Sequence, residues 1–220
     1  MSLTFRAYDI SKSYQGNEVL KDCSCAFDKG GVYVLMGPNG CGKSTFLRLC
    51  ALLENPDRGE ITYFSGVHAH SKDIELRRRI TLVLPKVGVF NTTVFQNVSY
   101  GLRVRGGKGD EVEKNVLKAL EFVGLIERRD QHALTLSSGE TQRLGIARAM
   151  VIEPEILFLD EPTASVDERN TEIIEDIVLR MKREGASTVV ITTHDKEQAA
   201  RLGDWLMEMR GGLISPHKNG

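Results

Sequence analysis

No stretch of this chain stays apolar for more than a few residues, well short of the ~20 that a membrane-spanning helix requires. The opening MSLTFRAYDI has no charged segment followed by an apolar one, so no secretion signal is expected. Net charge is equally scarce: 29 Lys and Arg face 30 Asp and Glu, leaving −1. That balance offers no electrostatic footprint for nucleic acid or an anionic membrane, and no nucleic-acid partner is expected. Cysteines are few. Cys23, Cys25, Cys41 and Cys50 form no CxxC pair, which argues against a zinc site or disulfide framework. They read as small apolar residues in a reducing compartment, with Cys23 and Cys25 on one face of a strand. His68 and His70 have no further ligand spaced to join them and read as part of a polar loop. Internal repeats, low-complexity tracts and long linkers are also missing.

What is present is alternation. A chain of 220 residues buries roughly 70% of its extended surface, enough for one domain or two close subdomains without covalent staples. Strand patterns are expected around 5–10, 19–27, 32–36, 59–64, 80–84, 156–159, 188–192 and 205–208. Helix patterns are expected over 43–53, 94–102, 112–123, 138–151, 171–183 and 196–202. Strands alternating with helices indicate an α/β fold with a largely parallel sheet. Between Pro85 and Ile152 no strand pattern occurs, so this block reads as a helical insertion. Gly30-Gly31, Gly106-Gly107 and Gly211-Gly212 mark turns, the second within the flexible joint RVRGGKGDE.

The segment GPNGCGKST, Gly37 to Thr45, separates the strand-like VYVLM from the helical pattern FLRLCALL. It fits the phosphate-loop pattern G-x-x-x-x-G-K-[ST]. Glycines let the backbone curl so that several N–H groups face one anion, and the helix start adds partial positive charge. Lys43 is placed to reach the outer phosphates of a nucleoside triphosphate. Ser44 is placed to put its hydroxyl on Mg²⁺, and Thr45 to touch a phosphate. Chance would supply the four fixed positions in about 1% of chains this long, before the strand and helix flanks are considered.

Two further segments complete a site. ILFLDEPT begins as a buried strand and ends in Asp160 and Glu161. A carboxylate there can hold Mg²⁺ through water, and the next can polarise an attacking water. Taken alone, the pair is a common strand–loop boundary; with the phosphate loop upstream it reads as functional. In LSSGETQRLGIARAM, Ser137, Ser138 and Gly139 open a second helix. Taken alone this is an N-cap; it is also a second anion-binding end.

These motifs, with SVD at Ser165–Asp167 and TTHD around His194, occur in the order and spacing of the nucleotide-binding subunit of ABC transporters, which the chain resembles over essentially its full length. The resemblance implies a P-loop NTPase, RecA-like α/β core with an antiparallel β portion, residues 1–85 and 153–220. It implies an inserted helical signature subdomain over 86–152. ATP and Mg²⁺ are the implied cofactors. Two copies would sandwich ATP head to tail, so that Pro38, Asn39, Gly40, Cys41, Gly42 and their neighbours in the loop of one copy face Ser137, Ser138 and Gly139 of the other. Glu161 becomes the catalytic base, His194 the switch that contacts the γ-phosphate, and Asp167 a shaper of the dimer contact. Tyr14, otherwise an ordinary half-buried tyrosine, becomes the aromatic that stacks on adenine. The implied partners are a second copy, membrane-embedded permease subunits contacted through about Val87–Leu102, and a solute-binding protein. The chain would sit peripherally on the cytoplasmic face of the membrane.

Three departures from the family pattern stand out. The strand before the helical block ends in Pro85, where the family carries a glutamine that ligates Mg²⁺ and couples the subdomains; proline has no such amide and stiffens the backbone. Ser138 replaces glycine. Glu140 replaces glutamine and brings a negative charge near a phosphate site unless it turns away. Cys41 is either a thiol whose alkylation blocks ATP binding or a bystander. The stretch LVLPKVGVFNTTVFQNVSYGL is similar to ATPases of oxyanion importers such as tungstate or phosphate systems. Two other classes remain in view. Soluble ABC-type ATPases acting on nucleic acid or ribosomes usually carry a second cassette, a coiled-coil insertion or a basic arm, none of which this chain has. A nucleotide-gated scaffold would not need both Glu161 and His194.

Overall fold

The computed structural model describes residues 3–216. Among the described residues, two sheets and seven α-helices are arranged in layers. The first sheet is antiparallel, in the order β2-β1-β4-β5, from Asn17–Phe27, Leu3–Tyr14, Arg58–Ser65 and His68–Ala69. The second has six strands in the order β10-β9-β3-β8-β7-β6: Leu213–Pro216, Trp205–Arg210, Val32–Met36, Thr188–Thr193, Ile156–Leu159 and Ile80–Val83. All its pairings are parallel except β10 on β9.

Sequence dictates this division. VYVLM, ILFL and TVVITT are buried at every position, as parallel strands covered on both faces must be. Alternation along them assigns the two faces. Val32, Val34, Leu157, Leu159, Val189 and Ile191 pack with the helical side of the molecule. Tyr33, Leu35, Phe158 and Val190 pack with the antiparallel sheet and helix α1 (Lys43–Cys50). Aromatics weld the sheets: Phe5 stacks on Phe27 at 4.1 Å and meets Phe158 edge-on at 5.6 Å. β1 is irregular between Ala7 and Ile10, where Asp9 has φ 48°. A Cβ at Gly59 would lie 2.2 Å from the Tyr8 carbonyl oxygen, so only glycine fits beside this irregular stretch.

The remaining helices are α2 (Ile74–Arg78), α3 (Val94–Val104), α4 (Gly109–Phe122), α5 (Ser138–Met150), α6 (Glu168–Glu184) and α7 (Lys196–Leu202). Residues 86–152 hold α3, α4, α5 and two 3-10 turns. Among the described residues the only β pairing in that stretch is the isolated bridge Thr93–His132.

Several sequence expectations need correction. His68 is not in a polar loop but in the short strand β5, and His70 bonds to Ser65 at 2.8 Å and to Arg79 at 3.2 Å. Helix α1 ends at Cys50, not Leu53, because Leu52 turns to φ 58°. Helix α6 begins at Glu168, three residues earlier than expected, because the Asp167 side chain accepts the Asn170 N–H and caps it. Strand β10 and helix α2 were not expected at all. The Gly211-Gly212 turn folds the chain back into β10, and Asp73 caps α2 by accepting the Leu76 N–H.

Candidate nucleotide site

The parallel strands aim their C-terminal ends at one place, where ligands collect in open α/β sheets. The loop 37–42 leaves β3 there and enters α1. Gly42 is the N-cap of α1 at φ 112°, a conformation that favours glycine. The loop is pressed on both sides: a Cβ at Gly37 would lie 2.4 Å from the Met209 carbonyl oxygen, and one at Gly42 would lie 2.9 Å from Leu20 Cδ2. The Gly37 N–H donates to the Thr193 carbonyl at 3.3 Å, tying the loop to the end of β8. Pro38, Asn39 and Gly40 are exposed, Cys41 and Ser44 half-buried, and Thr45 buried.

Lys43 is buried inside this loop. Its Nζ donates to the carbonyls of Gly37 at 2.7 Å and Pro38 at 3.2 Å, and pairs with Glu161 Oε1 at 3.0 Å. Asp160 and Glu161 leave β7. Asp160 is 1% exposed, and its Oδ1 accepts the Thr192 hydroxyl at 2.8 Å. The same Thr192 oxygen accepts the Glu161 N–H at 2.8 Å. Glu161 has φ 42°, a strained conformation for a side chain of its size. His194, just beyond β8, places Nδ1 3.8 Å from Glu161 Oε2 and is largely exposed. Lys43, Asp160, Glu161 and His194 are thus brought together from three strand ends.

The second candidate helix end, at Ser137–Gly139, has its own set of contacts. Ser137 caps α5 in a capping box: its hydroxyl accepts the Glu140 N–H at 3.3 Å, and Glu140 Oε2 accepts the Ser137 N–H at 2.9 Å. That backbone N–H holds the Glu140 carboxyl below the ordinary carboxylate range, and Arg128 at 3.4 Å adds to it. Glu140 therefore turns back along its own helix start. A Cβ at Gly139 would lie 2.2 Å from Asn170 Cγ, and Asn170 is bonded in turn to Asp167 at 2.9 Å. Ser137, Ser138, Gly139 and Asp167 therefore form one neighbourhood. Among the described residues it meets Arg128 and Asn170, and none of its hydrogen bonds or ion pairs reaches the loop 37–45. Tyr14 stands at the end of β1, 37% exposed, with its phenol bonded to Glu54.

The donor set fits the implied ligands. A buried ammonium within curled backbone suits phosphate, while the Ser44 hydroxyl and Asp160 carboxylate are hard oxygen donors suited to Mg²⁺. Sequence reasoning missed Thr192, Asn170 and Glu54. The signal for Thr192 was visible: TVVITT ends a continuously buried strand in two hydroxyls that need partners.

The ABC transporter family model matches residues 20–164. The chain is 35% identical over 206 residues to the tungstate uptake system ATP-binding protein TupC of Peptoclostridium acidaminophilum, covering 94% of each. It is 38% identical over 218 residues to the phosphate import ATP-binding protein PstB 2 of Natronomonas pharaonis, covering 93% of this chain and 76% of that one. Among solved structures, cbiO1 from Clostridium perfringens, part of the ABC transporter complex cbiONQ, superposes with a TM-score of 0.85 at 28% identity. That match covers 98% of this chain and 88% of the other.

Proposed function

Because the chain belongs to the ABC transporter ATP-binding family, we propose that it hydrolyses ATP in a head-to-tail pair of copies to power solute import through separate permease subunits. The observation that carries this reading is the separation of two anion-binding helix ends. The loop 37–45 gathers Lys43, Asp160, Glu161 and His194, whereas Ser137–Gly139 contact a different neighbourhood. One chain then uses its two ends on two nucleotides, each completed by a second copy.

In the proposed mechanism the loop amides and Lys43 grip the β- and γ-phosphates, with Gly37 to Thr45 as the cradle. Tyr14 stacks on adenine. Ser44 and Asp160 would hold Mg²⁺, which supplies charge neutralisation on the phosphates when bound. Glu161 accepts a proton from the attacking water, and His194 stabilises the γ-phosphate as charge moves onto it. Ser137 and Gly139 of the partner close the site, with Asp167 shaping the contact. Cleavage of the terminal phosphate removes the shared ligand and lets the copies part.

Residues 86–152 act as the helical signature subdomain, and 1–85 with 153–220 as the nucleotide core. No helix among the described residues is long and apolar enough to cross a membrane; in this reading permeation belongs to separate permease subunits. The exposed Phe90 and Tyr100, 4.6 Å apart and backed by Arg148, support a permease contact on this block at the cytoplasmic face. A small oxyanion, delivered by a solute-binding protein, is the cargo class that the tungstate and phosphate import relatives support. Polyamine, rather than oxyanion, stimulation of the reconstituted system would redirect the cargo reading. The mechanism itself is tested with Glu161→Gln, which should bind ATP, stop turning over and run as a dimer in light scattering. A monomer in saturating MgATP would overturn the sandwich.

A further inference from the structure

A chain of polar contacts links Tyr14 to the phosphate loop, and the mechanism above leaves it unused. The Tyr14 phenol donates to Glu54 Oε2. The other oxygen of that carboxylate accepts Arg48 Nε at 2.7 Å, and Arg48 Nη2 reaches Thr45 Oγ1 at 3.4 Å. Arg48 and Thr45 stand on α1, the helix that begins at Lys43. Glu54 lies in the short connection between α1 and β4. That connection holds the end of β1 through further hydrogen bonds. Lys12 Nζ donates to the Asn55 carbonyl at 2.9 Å and Asp57 Oδ1 at 2.8 Å, and the Ser13 N–H donates to Asp57 Oδ2 at 2.7 Å.

The placement argues against a chance surface ion pair. An exposed Arg–carboxylate pair adds little by itself. Here one carboxylate spends its two oxygens on two separate elements, one on the β1 hairpin and one on α1. Tyr14 sits at the hairpin tip, where Gln15 at φ 50° and Gly16 at φ 82° reverse the chain. The ring is 37% exposed at the hairpin tip; the phenol bond to Glu54 holds its outer end, while the Lys12 ammonium lies 5.6 Å from its centroid.

We infer that Glu54 is a positioning residue for the nucleotide base, fixing the Tyr14 ring relative to the phosphate loop through Arg48 and Thr45. This rests on the proposed reading of Tyr14 as the adenine platform. Base and phosphates then meet one pre-organised unit, and the ring is ordered before the nucleotide arrives. Loss of Glu54 should weaken ligands that carry a base and spare those that do not.

The test is calorimetric titration of the full chain with Mg²⁺ adenylyl imidodiphosphate and with Mg²⁺ tripolyphosphate, which has the phosphates but no base. Glu54→Gln and Tyr14→Phe should each weaken the nucleotide analogue about fivefold, the worth of one hydrogen bond. The double variant should be no weaker than either single one, as expected of two ends of one contact. Tripolyphosphate affinity should stay within about twofold in all three. Thermal unfolding of each variant confirms a folded chain. Additive losses, equal weakening of both ligands, or unchanged analogue affinity in Glu54→Gln while Tyr14→Ala weakens it would each overturn the positioning role. Unchanged analogue affinity in Tyr14→Ala would instead sink the adenine-platform reading, and the role of Glu54 with it.

Discussion

Lys43 Nζ sits 3.0 Å from Glu161 Oε1, with the two side chains 3% and 18% exposed. The residue proposed to grip phosphate and the one proposed to activate water thus hold each other. Nucleotide must separate them, exchanging one buried ion pair for another. Glu161→Gln removes the competing charge and leaves Lys43 its two loop carbonyls. We predict that this variant binds ATP about two- to tenfold more tightly while turnover falls by about 10²-fold or more. Weaker binding by equilibrium titration would mean that the pair is not a competitor of phosphate.

Thr192 is fully buried and bridges Asp160 Oδ1 to the Glu161 N–H, both at 2.8 Å. Its bonds help hold Glu161 in its positive-φ conformation. Thr192→Val keeps the shape but orphans a buried carboxylate oxygen and a backbone donor, at about 1–3 kcal/mol each. Urea unfolding should show a loss of about 2–6 kcal/mol, and turnover measured well below the melting range should fall beyond what unfolding explains. Thr192→Ser should restore most of both. A serine variant as impaired as the valine one would show that the methyl group, not the hydroxyl, matters.

The candidate site was legible in the sequence where the proposed chemistry needs a local pattern. The glycines of 37–42, the buried strand ending in Asp160, and Ser137 before a helical run each declare themselves within ten residues. What stayed hidden depends on contacts between segments far apart in the chain. Thr192 becomes meaningful only beside Asp160, Glu54 only beside Tyr14, and Asn170 only beneath Gly139. Strand β5 and helix α2 were missed because each is too short to show a period, and Asp73 capping α2 carried the only local signal. The expected end of α1 ran past Cys50 because ALL continues an apolar pattern that the backbone breaks at Leu52.

Pro85 occupies the turn after β6, and α5 grips the segment around it. Gln142 Nε2 donates to the Leu84 carbonyl at 3.5 Å and Arg148 Nη1 to the Gly88 carbonyl at 2.6 Å. Between them a Cβ at Gly145 would lie 2.5 Å from Val87 Cγ2. The segment therefore rides on α5, while Pro85 itself offers no side-chain donor or acceptor. Pro85→Gln should supply an amide oxygen and raise Mg²⁺-dependent turnover, or its coupling to transport, by up to about tenfold. No change in ATPase rate across a Mg²⁺ titration, and none in transport, would remove position 85 from the metal's surroundings.

Glu155 offers a test of stability against pH, away from the chemistry. Its carboxylate accepts Arg79 Nε at 2.5 Å and Nη2 at 3.0 Å, and also the Leu3 N–H at 3.1 Å, tying β1 to the start of β7. The Arg79 hydrogen bonds hold the carboxyl below its ordinary value of 4.5, outweighing the opposing effect of burial. A lowered folded-state pKa means that the folded chain prefers the ionised form more than the unfolded chain does. The contribution is therefore fully present above pH 4.5 and is lost as pH falls through the lower folded value. The pair is about one-third exposed, so solvent screening limits its worth to about 1 kcal/mol. Glu155→Gln should accordingly lower the urea midpoint at pH 7, and the gap from the native chain should narrow as pH drops below 4.5. A gap that stays constant down to acid unfolding would show that the variant acts through packing or the Leu3 contact rather than through the charge on Glu155.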